Sequence, residues 1–321
     1  MADVQALRWE SLTKRQFDAI DRERAVVLVS CSPLEVHGPH LPMGADALEA
    51  DGLSERMLRF LPERHADRTF LKLPFVYAAT DTVPQPGSLY FQPATTVTVL
   101  SDLGRTLAAQ GFRHVLVGNF HGGPRHFLAI EKACRRVQRR HGIGMISLFS
   151  LMITRLTEGT SNLDDVLGAV PGVDRADLVG DTHGGLVETS QLLALHGDWV
   201  DPEYKALPRQ TVDSWLAEQG QPPKPARPKG LSELVRSFRV TQQFFVERSY
   251  TGTPAAASAE IGERFLDVLG GKAAEGVTEL LDGTIGPEDC HSPIWRFRFL
   301  FLNPGVTRLV NRLIGFRNPI A

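Results

Sequence analysis

The sequence predicts an α/β fold, a three-layer α/β/α sandwich with a mainly parallel central sheet. Two observations carry this prediction. Short apolar segments alternate with longer segments of helical periodicity over roughly the first 200 residues, and this βαβα order is typical of a parallel sheet with helices on both faces. The apolar segments are also continuous and rich in β-branched residues, as expected of strands that are buried on both sides.

The individual elements follow from local patterns. Strands are predicted at residues 25–31, 69–77, 114–119 and 143–149. Helices are predicted at residues 46–61, 95–110, 125–141, 184–196 and 256–282. Pro74 should lie near an edge or a bend, because proline cannot donate a hydrogen bond to a neighbouring strand. Gly111 stands where the C-terminal cap of the second helix belongs.

The remaining segments predict loops and a terminal extension. Residues 155–180 are polar and predict a long loop with a short helix, and the Pro-rich residues 221–230 predict a linker or surface loop. We expect one domain over residues 1–285 and an extension over residues 286–321. In the extension, alternating aromatic residues predict a strand at 295–302.

A single apolar stripe predicts an amphipathic helix at residues 306–316. We expect this helix to pack on the domain or on a neighbouring subunit. The alternative is a helix that lies on a membrane surface, because arginines flank the stripe and acidic residues are absent from it.

Composition and charge exclude several classes of protein. The 321 residues are 42% hydrophobic and 22% charged, with a net charge of -2, which fits a globular enzyme and gives no reason to expect nucleic-acid binding. No apolar run is long enough for a transmembrane segment, and the N-terminus lacks the apolar core of a signal peptide. The three cysteines are widely spaced and form no disulfide framework, so we expect a cytoplasmic protein.

Three segments carry the residues of chemical interest. The first is PLEVHGPHLPMGAD, residues 33–46, in which Glu35 and His37 follow a predicted strand and Asp46 comes shortly after. Side chains two apart on a strand point to the same face, so Glu35 and His37 should point together. A carboxylate and an imidazole at a strand end are poor core material and good metal ligands.

The second segment, GNFHGGPRH at residues 118–126, places His121 at the C-terminal end of a predicted parallel strand, where α/β sheets bind ligands. By itself it also fits a tight turn with a polar cap, and His126 is expected to be an ordinary first-turn residue of the helix. The third segment, GDTHGGLVETS at residues 180–190, holds His183 and Glu188. An acid in a first helical turn is common, so Glu188 alone is weak evidence.

Taken together, these segments supply three carboxylates and two imidazoles, from Glu35, His37, Asp46, His121 and Glu188. A pair of divalent cations needs about five such groups, one of them bridging, and can activate a water for attack on an amide. The set suits two ions, most simply Zn²⁺, with Mn²⁺ or Fe²⁺ possible at one site.

The same segments resemble the motifs of the creatininase (creatinine amidohydrolase) family. The resemblance lies in EVHGPHLPMGAD at 35–46, NFHGGP at 119–124 and HGGLVETS at 183–190, with a further likeness at 251–269. It covers roughly residues 20–282 and implies the family's α/β sandwich, commonly assembled as a homo-hexamer. It also implies a metal-dependent amidohydrolase that acts on a non-peptide or cyclic amide of a small molecule.

The resemblance further implies roles for single residues. Glu35, Asp46 and His121 would hold one metal, and His37, Asp46 and Glu188 the other, with Asp46 as the bridge. His183 would face the substrate as a proton shuttle or oxyanion partner, so His183 and Glu188 are the residues expected to serve catalysis.

Departures from the family motifs bear on the substrate. Phe120 and Pro124 replace the usual Gly and Asn beside His121, and Gly123 stands where creatininases carry a metal-binding Glu. Creatinine is therefore not the expected substrate. Specificity is expected to lie in the loops at 80–92 and 155–180.

Other functions remain open from the sequence. The fold could serve as a catalytically inactive binding or assembly subunit, or as a peptide-trimming hydrolase of the mycofactocin-peptidase type. A metal-free hydrolase would use Cys31 as nucleophile with His37 or His40 as base, although Cys31 lies inside an apolar run and is expected to be a core residue. His40 could reach the site but is expected to have a supporting or structural role. The residues expected to lie on the surface or to serve packing are Glu49, Asp51, His65, His114, His141, His196 and His291.

Overall fold

A computed structural model describes residues 5–65, 67–157, 163–225 and 229–320. Its centre is a sheet of five parallel strands: β1 (Leu7–Arg8), β2 (Val26–Cys31), β3 (Phe70–Val76), β4 (His114–Gly118) and β5 (Gly144–Ser147). Their order in the sheet is β1-β3-β2-β4-β5. The three-layer sandwich with a parallel sheet is therefore confirmed.

Helices cover both faces of this sheet. They are α1 (Lys14–Asp18), α2 (Ala45–Arg59), α3 (Pro93–Ala109), α4 (Pro124–His141), α5 (Leu148–Leu156), α6 (Leu163–Leu167), α7 (Arg175–Leu178), α8 (Leu186–His196), α9 (Val212–Glu218), α10 (Leu231–Glu247), α11 (Ala259–Leu281), α12 (Arg298–Phe301) and α13 (Pro304–Ile314). Among the described residues no helix is long and apolar enough to cross a membrane.

Two hydrophobic cores form because successive residues of each strand point to opposite faces. On β2, Val26 and Leu28 pack in one core with residues of α2, α5 and α11. Val27, Val29 and Cys31 pack in the other core with residues of α3 and α4. Both faces of β2 are thus fully buried, which explains why its sequence shows no polar alternation.

Most predicted elements are confirmed to within a few residues. Pro74 lies where the register between β2 and β3 shifts, between the pairs Val29–Leu73 and Cys31–Val76, so the predicted bend is present. Gly111 has a positive φ of 95° just after α3, as a cap residue requires. The strand predicted at 143–149 ends earlier, because Ser147 caps α5 by accepting a hydrogen bond from the backbone N–H of Ser150.

Two segments differ from the prediction in kind. Helix α10, directly after the Pro-rich segment, was missed, although its apolar residues recur at helical spacing. Residues 155–180 contain α6 and α7, two short helices, and residues 158–162 lie outside the described part of the chain. Of the Pro-rich segment, residues 226–228 are likewise outside it.

The predicted strand at 295–302 is wrong. Trp295–Phe297 form a 3₁₀ turn and continue into α12. A strand needs a partner for its backbone groups, whereas a helical turn satisfies them locally; Trp295 stacks on His291 at 4.2 Å between ring centroids instead. The predicted amphipathic helix is confirmed as α13, and the division of the chain at residue 285 stays a prediction.

Candidate metal centre

The candidate ligands converge beyond the carboxyl ends of two neighbouring strands. Glu35 and His37 lie in the irregular segment after β2, and His121 lies just after β4. Glu35 and His37 do converge, but the reason given from the sequence is wrong: β2 ends at Cys31, so they share no strand face. The segment is held in place by a hydrogen bond of 2.9 Å from the backbone N–H of Glu35 to the carbonyl of Met43.

Two more ligands come from helix starts. Asp46 lies in the first turn of α2 and Glu188 in the first turn of α8. Gly184, with a φ of 61°, lets the chain turn between His183 and Glu188 and donates its backbone N–H to Glu188 Oε2. The backbone carbonyl of His183 accepts a hydrogen bond of 2.7 Å from Thr251, which ties this turn to the later segment 251–269.

The ligand atoms form two overlapping groups. Glu35, Asp46 and His121 make one group, and His37, Asp46 and Glu188 make the other. Within each group the ligand atoms lie within 4.8 Å of one another. A third group joins a ring nitrogen of His183 to Glu35 and His37. All five residues expected as metal ligands are therefore brought together.

Asp46 lies between the two histidines. Its Oδ1 is 3.5 Å from His37 Nε2 and its Oδ2 is 3.5 Å from His121 Nδ1. Two ligand atoms that are each about 2.0 Å from a tetrahedral zinc lie roughly 3.3 Å apart. The two distances therefore fit one cation on each side of a shared carboxylate.

Hydrogen bonds fix which nitrogen of each histidine is free. His37 Nδ1 lies 3.1 Å from the backbone carbonyl of Glu35, and His121 Nε2 lies 3.1 Å from the carbonyl of Thr80. Each carbonyl accepts a hydrogen bond, so these nitrogens carry the ring protons in the neutral form. His37 Nε2 and His121 Nδ1 are left to face the carboxylates, as metal-binding histidines do when a carbonyl holds the other nitrogen.

The cluster is buried, and its charges are out of balance without a cation. Glu35 and His37 are 0% exposed and Asp46 is 1% exposed. With the ring protons placed as above, Glu35 Oε1, His37 Nε2 and Asp46 Oδ2 face no hydrogen-bond donor among the described residues, although His121 Nδ1 lies 2.8 Å from Glu35 Oε1. Buried polar atoms normally find partners, so these three atoms fit a site for metal ions.

The pKa values show the same crowding. Burial would lower the pKa of His37, but Asp46, Glu188 and Glu35 raise it to about 10. Burial, together with the charge of Asp46, raises the pKa of Glu188 to about 7 against the opposing effect of His37. Cations would replace the protons that these groups otherwise hold.

His183 is positioned beside the ligands. Its ring stacks on that of His37 at 4.0 Å between centroids, and its Nε2 lies 2.7 Å from the carbonyl of Val36. Burial and the neighbouring His37 lower the pKa of His183 well below its usual value. His183 is therefore a neutral imidazole whose Nδ1 keeps its lone pair.

Three further residues surround the cluster. His40 Nε2 lies 2.8 Å from Thr189 Oγ1, and His126 Nε2 lies 2.9 Å from the carbonyl of Cys31. Glu49, on α2 three residues after Asp46, is 0% exposed, and both its carboxylate oxygens lack partners among the described residues. Burial, then the charges of Glu188 and Asp46, raises the pKa of Glu49 well above its usual value. Glu49, expected to be a surface or packing residue, is thus buried, and its i, i+3 spacing from Asp46 places the two carboxylates on neighbouring positions of α2.

Gly123 lies tightly against the metal cluster. A Cβ atom at this position would lie 2.4 Å from His121 Nε2 and 2.6 Å from Asp81 Cβ. No side chain fits there unless His121 or Asp81 moves. The departure at Gly123 thus leaves room for the ring of His121.

A cavity of about 640 Å³ opens above the cluster. Its floor is formed by Glu35, Asp46, His121, His183 and Glu188. The loop at 80–92 contributes to its wall through Asp81, Val83 and Tyr90 among others, as predicted. None of the described residues of 155–180 lines it; α10 and the C-terminal helices take that place, which the sequence did not reveal.

A parallel α/β sandwich with carboxylate and imidazole side chains gathered beyond the strand ends is an arrangement typical of metal-dependent hydrolases. The family model "Creatininase: Creatinine amidohydrolase" matches residues 10–277. The chain belongs to the creatininase family, whose members are amidohydrolases that act on carbon–nitrogen bonds. The resemblance found in the motifs is thereby confirmed.

Solved creatininases share the fold. A creatininase labelled "Mn" is 20% identical with a TM-score of 0.58, and covers 87% of this chain and 99% of its own. A mutant creatininase labelled "Zn-Zn type" is 19% identical with a TM-score of 0.56, covering 87% of this chain and 98% of its own. A third, a creatinine amidohydrolase, is 21% identical with a TM-score of 0.56 over 87% of this chain and 98% of its own. No curated protein sequence matches the chain significantly.

Proposed function

We propose that the protein is a dinuclear-metal amidohydrolase that cleaves a non-peptide or cyclic amide bond of a small molecule. The observation that carries the proposal is the position of Asp46, which offers one oxygen to the His37 side and the other to the His121 side, each at 3.5 Å. In this proposal Glu35, Asp46 and His121 hold one divalent cation. His37, Asp46 and Glu188 hold the other.

In this proposal the cations, His183 and Glu188 have separate roles. The cations, when bound, lower the pKa of a water and stabilise negative charge on the amide oxygen. Zn²⁺ is the cation we expect, with Mn²⁺ or Fe²⁺ possible at one site. Solved creatininases described as "Mn" and "Zn-Zn type" support the choice of Zn²⁺ or Mn²⁺. His183, neutral and fixed by its bond to Val36, can accept a hydrogen bond or a proton at Nδ1 from the reacting group. Glu188, whose side chain is 12% exposed, is the ligand most open to the cavity among those paired with His37.

A hydrolase that uses Cys31 is disfavoured. Cys31 is 0% exposed, and burial raises the pKa of its thiol to about 12. The reactive form of cysteine is the thiolate, which this residue does not supply near neutral pH. The free, buried state of all three cysteines is in keeping with the cytoplasmic location proposed for the chain.

Metal analysis and chelation test the proposal. The purified protein should contain about two equivalents of divalent metal, and its hydrolysis of a panel of formamides, lactams and hydantoins should be lost with 1,10-phenanthroline and restored by Zn²⁺ or Mn²⁺. Activity that survives chelation and is lost in Cys31→Ala would contradict it. Stoichiometric metal without any hydrolysis across the panel would favour the inactive subunit. The homo-hexamer implied by the family is checked by light scattering.

A further inference from the structure

The cavity above the metal ligands has two chemically different parts. Its floor carries the candidate ligands, including Asp46, His121 and Glu188, and its wall adds the ion pair of Asp81 and Arg125. A second part of the lining, which we call the roof, is formed by residues of α10 and of the segment 298–318, and it begins at Phe245, beside the ring of His183. Among the described residues, the roof contributes no charged side chain to the cavity. Its apolar members include Phe238, Phe245, Phe301, Val306, Val310 and Ile314.

Helix α13 presents one side to the cavity and another to solvent. Val306, Val310 and Ile314, spaced four residues apart, line the cavity. Leu309 and Leu313, one residue before two of them, are 58% and 49% exposed. Residues at i, i+4 and i+8 lie on one helix face, so the cavity-facing stripe is a defined surface.

Hydrogen bonds join the two parts of the roof to each other and to the domain. Arg239 on α10 donates hydrogen bonds of 3.0 Å to the carbonyls of Leu313 and Ile314 at the end of α13. Gln85 Nε2, in the loop at 80–92, donates a 2.9 Å hydrogen bond to the carbonyl of Phe245 on α10. The C-terminal end of α13 is thus fixed to α10, and α10 is fixed to the cavity wall.

We propose that the roof makes this cavity a chamber for a substrate whose amide group carries a bulky apolar chain or ring. The volume of about 640 Å³ lies within the range of pockets that enclose drug-sized ligands, roughly 300–1,000 Å³, far more than a small polar ring needs. The inference rests on the proposed function, since the amide must sit at the metal cluster while its apolar part occupies the roof. The match to the family model ends at residue 277, so α12 and α13 lie outside the part of the chain that it covers.

Hydroxamates separate the two parts, because their head group chelates metal while their chain length varies. The Zn²⁺-loaded full chain is titrated with acetohydroxamate and octanohydroxamate by calorimetry. Each buried methylene strengthens binding by about fourfold, so octanohydroxamate should bind about 60-fold more tightly even if only half of its six extra methylenes are buried. Val310→Asp should reduce this advantage to under about fivefold and leave acetohydroxamate unchanged within twofold. Leu309→Asp, the solvent-facing neighbour, should change neither.

Val310→Trp gives a second test that keeps the helix apolar. It should fill the chamber and weaken octanohydroxamate at least tenfold without affecting acetohydroxamate. If acetohydroxamate binds but the wild-type chain-length advantage is below about threefold, the chamber is refuted and the metal site stands. The chamber is also refuted if Leu309→Asp reduces the advantage of octanohydroxamate over acetohydroxamate as much as Val310→Asp does. If acetohydroxamate does not bind to the metal-loaded protein, the proposed function fails and the chamber proposal fails with it.

Discussion

Asp46 faces two histidines with different oxygens: Oδ1 lies 3.5 Å from His37 Nε2, and Oδ2 lies 3.5 Å from His121 Nδ1. The two histidines are themselves fixed by backbone carbonyls at their other nitrogens. Burial would raise the pKa of Asp46, but His37 and His121 hold it well below its usual value. One carboxylate therefore couples the two halves of the site, and its replacement should affect both.

Asp46→Asn should lose both metals. An amide has one oxygen to offer and its NH₂ group cannot ligate, so we expect the affinity for each ion to fall at least about 100-fold. Glu55→Gln is the matched control, because Glu55 is on the same helix with a side chain that is 54% exposed and pairs with Lys72. Mass-spectrometric metal analysis after dialysis gives the result. Two retained equivalents in Asp46→Asn would exclude the shared bridge.

Metal affinity should rise with pH. The pKa of His37 in the metal-free protein is raised to about 10, so below that pH a metal must displace a proton from Nε2. We therefore expect the apparent affinity to increase by about tenfold per pH unit between pH 7 and 9 for each displaced proton. Calorimetry in buffers of different ionisation enthalpy counts these protons. A pH-independent affinity with no proton release would disprove the predicted protonation of His37.

Gly123→Ala should disturb the metal site, because the new Cβ would meet His121 Nε2 at 2.4 Å. We expect a cost of about 1–3 kcal/mol in unfolding free energy and a loss of roughly 10–100-fold in metal affinity as His121 shifts. Gly122→Ala is the control, since a Cβ there meets nothing within 4 Å. Equal behaviour of the two variants in metal titrations would show that Gly123 does not position His121.

Glu131→Gln should stabilise the protein at high pH relative to low pH. Burial raises the pKa of Glu131 to about 6 from a usual 4.5, so the folded state prefers the protonated form. The cost of ionising Glu131 is absent below about pH 4.5 and complete above about pH 6. The shift of about 1.5 units corresponds to roughly 2 kcal/mol.

The measurement for Glu131 is the difference in unfolding free energy between variant and wild type at pH 8 and at pH 4. We expect this difference to favour Glu131→Gln by roughly 2 kcal/mol more at pH 8 than at pH 4. Glu288→Gln is the control, because Glu288 is exposed and accepts a hydrogen bond from Gln138. For this variant the difference in unfolding free energy from wild type should vary by less than about 0.5 kcal/mol between the two pH values. A difference that does not vary with pH would mean that Glu131 titrates normally in the folded protein.

The sheet and the cluster of candidate metal ligands could be predicted from the sequence, because both depend on local sequence patterns. The apolar run at Val26–Cys31 is long, and His121 directly follows a short apolar strand. Parallel strands then bring their carboxyl ends to one edge whatever the details of the loops. The prediction that Glu35 and His37 share a strand face was wrong, but their position was still correct. Both residues follow the carboxyl end of β2 and therefore lie at the predicted edge of the sheet.

The position of the roof could not be predicted from the sequence, because it depends on contacts between residues that are far apart in the chain. No local sequence pattern predicts the hydrogen bond from Arg239 to the carbonyl of Ile314, because the two residues are 75 positions apart in the chain. The aromatic residues after His291 alternate as in a strand, but residues 295–301 form helical turns, which satisfy their backbone hydrogen bonds locally. Glu49 could be either a surface or a packing residue from the sequence, because an acid on a helix is usually exposed and only the packing of α2 against α8 and α11 shows that it is buried.

The roof helices and the metal ligands come from separate stretches of the chain, since the last candidate ligand is Glu188 and α13 begins at Pro304. An insertion or deletion of one residue in α13 would rotate its far half by about 100° and carry Leu313 or its neighbours into the cavity. Such a change would remodel the shape of the cavity while leaving every candidate metal ligand untouched. The size and shape of the substrate that the cavity accepts can thus be altered independently of the candidate metal site.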